Sequence, residues 1–360
     1  MATSSAWGLL PSEWKPLCKE LGVPAFRADQ IVTGLYQNFA QSWQEITTLP
    51  AEIRDRLAAQ NPLKPLEIAQ TQNAVDGVQK LLLACEDGEC IETVLIPSKA
   101  RITQCISTQV GCAFRCAFCA SGQNGCVRDL KADEIVGQVM AACSVLRARD
   151  AGEQASTVLP RPNNIVVMGM GEPFANYDNV LRALRILNSQ KGLSIGARHI
   201  TISTCGLVPG MQRLAEEGIQ FELSVSLHAP TNELRDQVMP VNKLWPLEKL
   251  MEACRVYNQK TGRVVTFEYT LIRNFNDQAQ HAQKLIQLLR QMPCKVNLIP
   301  LSPVVNFFGE CPEDHVCLAF LDILLKAHLN TTLRRSRGKE VSAACGQLRL
   351  RAQAEKSTRA

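Results

Sequence analysis

Cys105-Ile-Ser-Thr-Gln-Val-Gly-Cys112-Ala-Phe-Arg-Cys116-Ala-Phe-Cys119 runs from a β-prone segment straight into three cysteines spaced C-x3-C-x2-C. That spacing brings three thiolates within reach of one centre. Thiolate-only ligation selects zinc, Cu(I) or an iron–sulfur cluster. Structural zinc takes four closed ligands, usually from two C-x2-C knuckles, and the chain has no second knuckle. A [4Fe–4S] cluster on three protein thiolates leaves one iron able to take a substrate. A loop has little packing reason to carry Cys three times in eight residues, so Cys112, Cys116 and Cys119 read as ligands of one cluster.

Downstream of the triplet, strand-like and helical patterns alternate. Strand runs are expected at 105–109, 165–168, 199–203, 221–227, 264–271, 295–299 and 332–335. Helical patterns separate them at 131–147, 178–189, 209–217, 246–258, 277–292 and 312–328. Repeated βα units of this length predict an α/β fold with a parallel sheet and helices outside. Six or seven units fall short of eight, which suggests a partial (βα)6-type barrel with its functional loops at the strand C-terminal ends. The chemically loaded residues do follow the strand runs: Gly171-Glu172, Ser203, Ser226-Leu227-His228 and Asn297. Taken alone, Ser203 reads as a capping residue and His228 as a structural histidine.

Upstream, Phe26, Ile31, Leu35 and Phe39 recur at helical spacing, and 1–62 reads as a small helical domain. Asp87-Gly88 between two β-prone runs is a strong hairpin signal, giving a β-hairpin extension over 63–100. The barrel is expected over 101–345 and a basic tail over 346–360.

The chain has 360 residues, 46% of them apolar, with 15 cysteines and a net charge of +5. These values exclude disorder. No stretch approaches the roughly 18 apolar residues of a membrane span, and the N-terminus lacks a secretory pattern. An odd cysteine count in a chain this long argues against a disulfide scaffold and for a reducing, cytoplasmic setting. From Arg334 to Arg359 there are eight basic residues against two acidic ones, so that end is +6 and the remainder −1. On charge alone it is a solvated tail; it also suits a polyanionic partner.

The triplet resembles the signature of the radical S-adenosylmethionine (SAM) superfamily. Met168-Gly-Met-Gly-Glu172-Pro173, Ser226-Leu-His228-Ala-Pro230, Asn297-Leu-Ile-Pro300 and Ala343-Ala-Cys345-Gly-Gln-Leu348 follow in order, and Phe26-Arg-Ala-Asp-Gln30 precedes them. Together, over about residues 12–350, they look like the rRNA adenine methyltransferases of the RlmN and Cfr type. The resemblance implies a radical-SAM partial barrel with a helical accessory domain that binds RNA. It implies one [4Fe–4S] cluster and two SAM per turnover, bound by Gly171, Glu172, Ser203, Ser226, Leu227, His228 and Asn297. It implies methylation at adenine carbon 2 of large-subunit rRNA, with tRNA as a further substrate, and a one-electron donor such as flavodoxin or ferredoxin. Adenine carbon 2 is a poor nucleophile, so SN2 transfer fails and a radical route is needed.

By the same resemblance, Cys345 carries the methyl group as S-methylcysteine and becomes cross-linked to the RNA. Cys105 forms the transient disulfide with Cys345 that releases product, and Glu92 is the proton acceptor. On its own, Cys345 in Ala-Ala-Cys reads as a small buried residue, Cys105 as a core cysteine, and Glu92 as a carboxylate marking a strand's solvent face. One departure is Lys339-Glu340-Val341-Ser342 ahead of Cys345, where the family carries more acidic character. Three alternatives stay open: the same chemistry at adenine carbon 8, a radical-SAM enzyme acting on a non-RNA substrate, and a zinc-stabilised RNA-binding module without catalysis.

Overall fold

Alternation along the strands builds the architecture. In the computed structural model the described residues are 5–99, 101–150, 161–304, 306–307, 309–335, 337–344 and 346–348. The chain opens with α1 (Trp14–Glu20), α2 (Arg27–Val32) and α3 (Ala51–Gln60). The antiparallel strands β1 (Glu67–Asn73), β2 (Gln79–Ala84), β3 (Cys90–Ser98) and β4 (Arg101–Cys105) follow. Two short strands, β5 (Gln109–Gly111) and β6 (Cys126–Asp129), flank α4 (Ala120–Gln123) and form their own antiparallel pair. Then come α5 (Ala132–Asp150), β7 (Asn164–Val167), α6 (Tyr177–Asn188), β8 (Ile200–Thr204), α7 (Val208–Glu216), β9 (Glu222–Ser226), α8 (Asn232–Val238) and α9 (Leu247–Thr261). The chain continues through β10 (Val265–Leu271), α10 (Ala279–Leu289), β11 (Cys294–Pro300), α11 (Asp314–Lys326) and β12 (Asn330–Leu333).

The main sheet has ten strands in the order β1-β2-β3-β4-β7-β8-β9-β10-β11-β12. From β4 onward every pairing is parallel. The expected α/β partial barrel is therefore present: seven parallel strands with helices between them, and no pairing of β12 back to the start among the described residues. The antiparallel strands continue the same sheet at its β4 edge, so the hairpin is part of one hydrogen-bonded surface.

In-register neighbours share a face. One face carries Ile165 and Ile200, then Val167, Ile202 and Leu223, then Val225, Phe267 and Val296, all buried under the helices. The opposite face is polar. Ser203, Ser224, Thr266 and Lys295 form one row, and Ser226, Glu268, Asn297 and Thr332 form the next. A parallel sheet buried on both faces is usually apolar throughout. Here the inner face looks into a ligand-sized cavity, so polar side chains there are tolerated.

The helices complete the apolar layer. In α6, Val180, Leu181, Leu184 and Leu187 are buried on one stripe. Gly262, left-handed at φ 66°, ends α9 by donating its N–H to Asn258 O. The N-terminal segment is pinned to the barrel helices: Ser5 N–H donates to Asp133 Oδ2 at 2.7 Å and Arg182 Nε to Gly8 O at 2.7 Å. Trp7, Trp14, Ile31 and Leu35 are buried there, whereas Phe26 is 61% exposed, outside the core stripe its spacing suggested.

Element ends shift by a few residues from the sequence reading, and three differences matter most. The first strand ends at Cys105 rather than spanning 105–109, because the chain leaves the sheet to form the cysteine loop. β12 starts two residues earlier than expected. Cys90 pairs with Ala84, so Cys85 does not face it across the turn.

Candidate functional site

The cysteine loop lies across the C-terminal ends of the parallel strands. Arg115, left-handed at φ 50°, turns the chain between Cys112 and Cys116, a conformation that costs a non-glycine residue about 1 kcal/mol. Cys119 N–H then donates to Cys116 O at 3.0 Å, closing the second turn. The loop is tethered at three points: Cys112 N–H to Gly125 O at 3.0 Å, Ala117 N–H to Val238 O at 2.9 Å, and Ala120 N–H to Gly346 O at 2.7 Å.

One cavity gathers most of the expected residues. Cys112, Cys116, Cys119, Gly171, Glu172, Ser203, Ser226 and His228 all line it. Leu227 is buried behind the wall. Asn297 does not line it either and lies in the middle of β11 rather than at its end, reaching the wall through Glu268. Cys105 and Glu92 are outside the lining. They share the polar face of the sheet, since Cys105 pairs with Val94, two residues from Glu92. Glu92 is not on a solvent face: it is 4% exposed and its Oε1 lies 3.0 Å from Lys80 Nζ. Cys345 lies outside the described residues. Its neighbour Gly346 lines the cavity, and upstream Gly338 N–H donates to Asp76 Oδ2 at 3.0 Å, beside an Arg337–Asp76 ion pair. The stretch carrying Cys345 is thus anchored to the β1–β2 turn on one side and to the cysteine loop on the other.

Burial pushes the Cys112 thiol up to about 12 and the Cys116 thiol far above its ordinary value, with the neighbouring thiols adding to both. Among the described residues no three His, Cys, Asp or Glu stand in metal-ligating geometry, so binding a metal would draw the three thiols together. Glu172 is held tightly: Thr204 Oγ1 donates to Oε1 at 2.7 Å and Cys205 N–H to Oε2 at 2.8 Å. Burial nonetheless leaves its pKa raised. His228, left-handed at φ 55°, accepts Thr270 N–H on Nδ1 at 3.0 Å. Burial, with the Arg235 cation, lowers its pKa to about 3. The ring is neutral, and its Nε2–H is the free donor.

Gly171 and Gly346 have φ of 102° and 82°, and an added Cβ would lie 2.6 Å from Gln109 Cβ and 2.9 Å from Phe118 O respectively, so the packing of the cavity wall demands glycine at both. One feature fits a bound cofactor. Glu268, which the sequence reading missed, lines the cavity with Oε1 accepting from Ser224 Oγ at 2.9 Å and Asn297 Nδ2 at 3.0 Å. Its Oε2 is buried with no protein partner. A lone carboxylate in the β-prone run Val264-Val-Thr-Phe-Glu268-Tyr-Thr-Leu-Ile was the signal available. The thiols and the orphaned acceptor suit an iron–sulfur cluster with a polar, hydroxyl- or amine-bearing cofactor beside it.

Gly171→Ala is expected to destabilise the protein by about 2–3 kcal/mol, combining a disfavoured φ with overpacking. Urea unfolding would measure it. The displaced Gln109 also holds Glu172, through Oε1 accepting Glu172 N–H at 2.9 Å.

Residues 106–286 match the radical SAM superfamily model. A protein of Geobacillus kaustophilus named "Probable dual-specificity RNA methyltransferase RlmN" is 44% identical over 98% of this chain and 94% of its own length. One of the same name from Moorella thermoacetica is 45% identical over 95% of this chain and 96% of its own. The chain belongs to the RlmN family of the radical SAM superfamily. A crystal structure of a radical SAM methyltransferase from Sphaerobacter thermophilus shares 44% identity and superposes with a TM-score of 0.90, covering 96% of this chain and 99% of that one. An RlmN-family fold thus carries the cavity, and the family's fold class is that expected from the βα pattern.

Proposed function

We propose that the protein is a radical-SAM RNA methyltransferase that modifies adenine carbon 2 in large-subunit rRNA and also acts on tRNA. The observation that carries this is the single cavity where Cys112, Cys116 and Cys119 meet Gly171, Glu172, Ser203, Ser226, His228 and Gly346. The printed name of the relatives, a dual-specificity RNA methyltransferase, supports two RNA classes.

Cys112, Cys116 and Cys119 would hold a [4Fe–4S] cluster, which with SAM supplies one-electron cleavage and a carbon radical. The chain's own residues do the rest. Glu172 and its hydrogen-bonded frame receive the amino group of SAM, and neutral His228 donates from Nε2 at the cavity wall. Cys345 takes a methyl group from one SAM and presents it to a second, so two are used per turnover. Cys105, as thiolate, attacks the Cys345 sulfur of the Cys345–S–CH2–RNA cross-link. The disulfide forms, and the C–S electron pair passes to the RNA-bound carbon, which takes a proton from water to become the methyl group. A thiol- or dithiol-class reductant returns both cysteines. Glu92 takes the ring proton, with Lys80 Nζ 3.0 Å from its Oε1. Residues 1–62 and the basic end after Arg334 contact the RNA, and a flavodoxin- or ferredoxin-class protein delivers the electron.

The test is nucleoside analysis. Cluster-loaded protein, reductant, methyl-deuterated SAM and unmodified large-subunit rRNA or tRNA are incubated anaerobically, then digested for mass spectrometry. Labelled 2-methyladenosine with one deuterium lost is expected. Labelled 8-methyladenosine would move the target to carbon 8, and SAM cleavage without methylated RNA would remove RNA as substrate.

Glu268→Gln is expected to weaken SAM binding roughly tenfold or more while iron loading stays unchanged. It replaces the orphaned acceptor with a donor, and a hydrogen bond to a charged group contributes about 1.5–3 kcal/mol. Equilibrium dialysis of the cluster-loaded protein would measure it.

A further inference from the structure

Among the described residues, Arg235 is the only fully buried arginine. Its guanidinium makes four hydrogen bonds, all to neutral acceptors. Nε donates to Leu227 O at 3.2 Å, Nη1 to Asn242 Oδ1 at 2.9 Å, and Nη2 to Cys205 O at 2.6 Å and Ser226 O at 3.1 Å. Among the described residues no carboxylate forms an ion pair with it. Asp236 is reached only through Asn242, whose Nδ2 donates to Asp236 Oδ1 at 2.7 Å. A buried cation without an anion is costly, and a fold keeps one where another negative charge repays it.

The position says where that charge arrives. Cys205 and Ser226, whose carbonyls the guanidinium holds, line the cavity together with the three cysteines. Val238, one turn along the same helix, accepts Ala117 N–H from within the cysteine loop. The guanidinium therefore lies behind Cys205 and Val238, the buried cluster against which Cys116 packs.

We propose that Arg235 is the buried counter-charge of the iron–sulfur centre and sets its reduction potential. This rests on the cluster assignment made under the proposed function. Three thiolates against a doubly positive core leave one net negative charge, and a single electron from the flavodoxin- or ferredoxin-class donor makes two. No bond forms or breaks in that step and no proton moves, so the added charge must be met by fixed charge in the wall. A guanidinium already buried there favours the reduced state and needs no reorganisation.

Arg235 also ties the ends of β8 and β9 together, and the test separates the two roles. Cluster-loaded full-length protein is titrated anaerobically with dithionite and mediators, and the reduced centre is followed by EPR. Arg235→Lys keeps the charge and loses the fork; Arg235→Gln keeps polarity and loses the charge. The exchange Asn242→Asp with Asp236→Asn moves a carboxylate onto Nη1 at nearly constant volume. The lysine variant is expected within error of wild type. The glutamine variant and the exchange are expected to shift negatively by at least 59 mV, a tenfold loss of reduced form at fixed potential for one electron. Should Arg235→Gln hold no cluster, the exchange decides. Lysine and glutamine variants moving together, or the exchange leaving the potential unchanged, would overturn the proposal. A wild-type protein that takes up no iron overturns the cluster assignment itself, a separate result.

Discussion

Cys116→Ala should yield a folded protein that takes up no stoichiometric iron and cleaves no SAM. Cys116 lines the cavity between Cys112 and Cys119, and burial raises its thiol pKa. Metal binding must supply the free energy to deprotonate and draw in the thiols. With two left, neither the donor number nor the charge of a [4Fe–4S] site is met. The fold itself loses little, since a cysteine side chain is small and a core truncation of that size costs on the order of 1 kcal/mol. Iron content, the visible absorption of the reconstituted protein and 5′-deoxyadenosine release would be measured together with thermal unfolding. Cys205→Ala is the control: Cys205 lines the same cavity outside the triplet, and iron should be retained. Wild-type iron in the Cys116 variant would remove the triplet from its assigned role.

Cys345→Ala is expected to bring RNA methylation to background with iron loading intact. Cys105→Ala should instead accumulate a covalent protein–RNA adduct. The first change removes the methyl carrier, the second only the thiol that resolves the cross-link, so the same substrate stops at two different places. The anchors on either side of Cys345 support the reading, because Gly346 O is held by Ala120 N–H at 2.7 Å, next to Cys119 in the chain. Peptide mass spectrometry would look for S-methylcysteine in wild type, and a denaturing gel for the adduct in the Cys105 variant. RNA methylation by Cys345→Ala at wild-type rate would sink the carrier role.

Local rules were enough for much of this protein. The βα alternation located six of the seven parallel strands and missed the first by four residues, because apolar strand runs and amphipathic helices carry their own periodicity. The cysteine spacing marked the chemistry, because three thiols so close in the chain are close in space whatever the fold. Gly171-Glu172, Ser203, Ser226 and His228 were readable from their place after strand runs. α8 escaped notice: seven residues are too few to show a period, and Arg235 within it looks like any surface charge. β1 was equally silent, a polar edge strand in which Glu67, Gln70, Gln72 and Asn73 hide the alternation.

By itself, then, the sequence determined the α/β class, the partial barrel and the triplet, since each depends on neighbours along the chain. Tertiary structure alone decided which way each strand faces and what meets across it. Register sets Glu268 beside Ser226 and Asn297 with one oxygen unpaired. It also turns Glu92 inward onto Lys80 rather than out to water. Folding carries Arg235 behind Cys116, and brings Gly346 to Ala120 across more than two hundred residues of chain. A charge's meaning depends on its dielectric surroundings and on the charges it faces, and those exist only once the sheet has curled around its cavity.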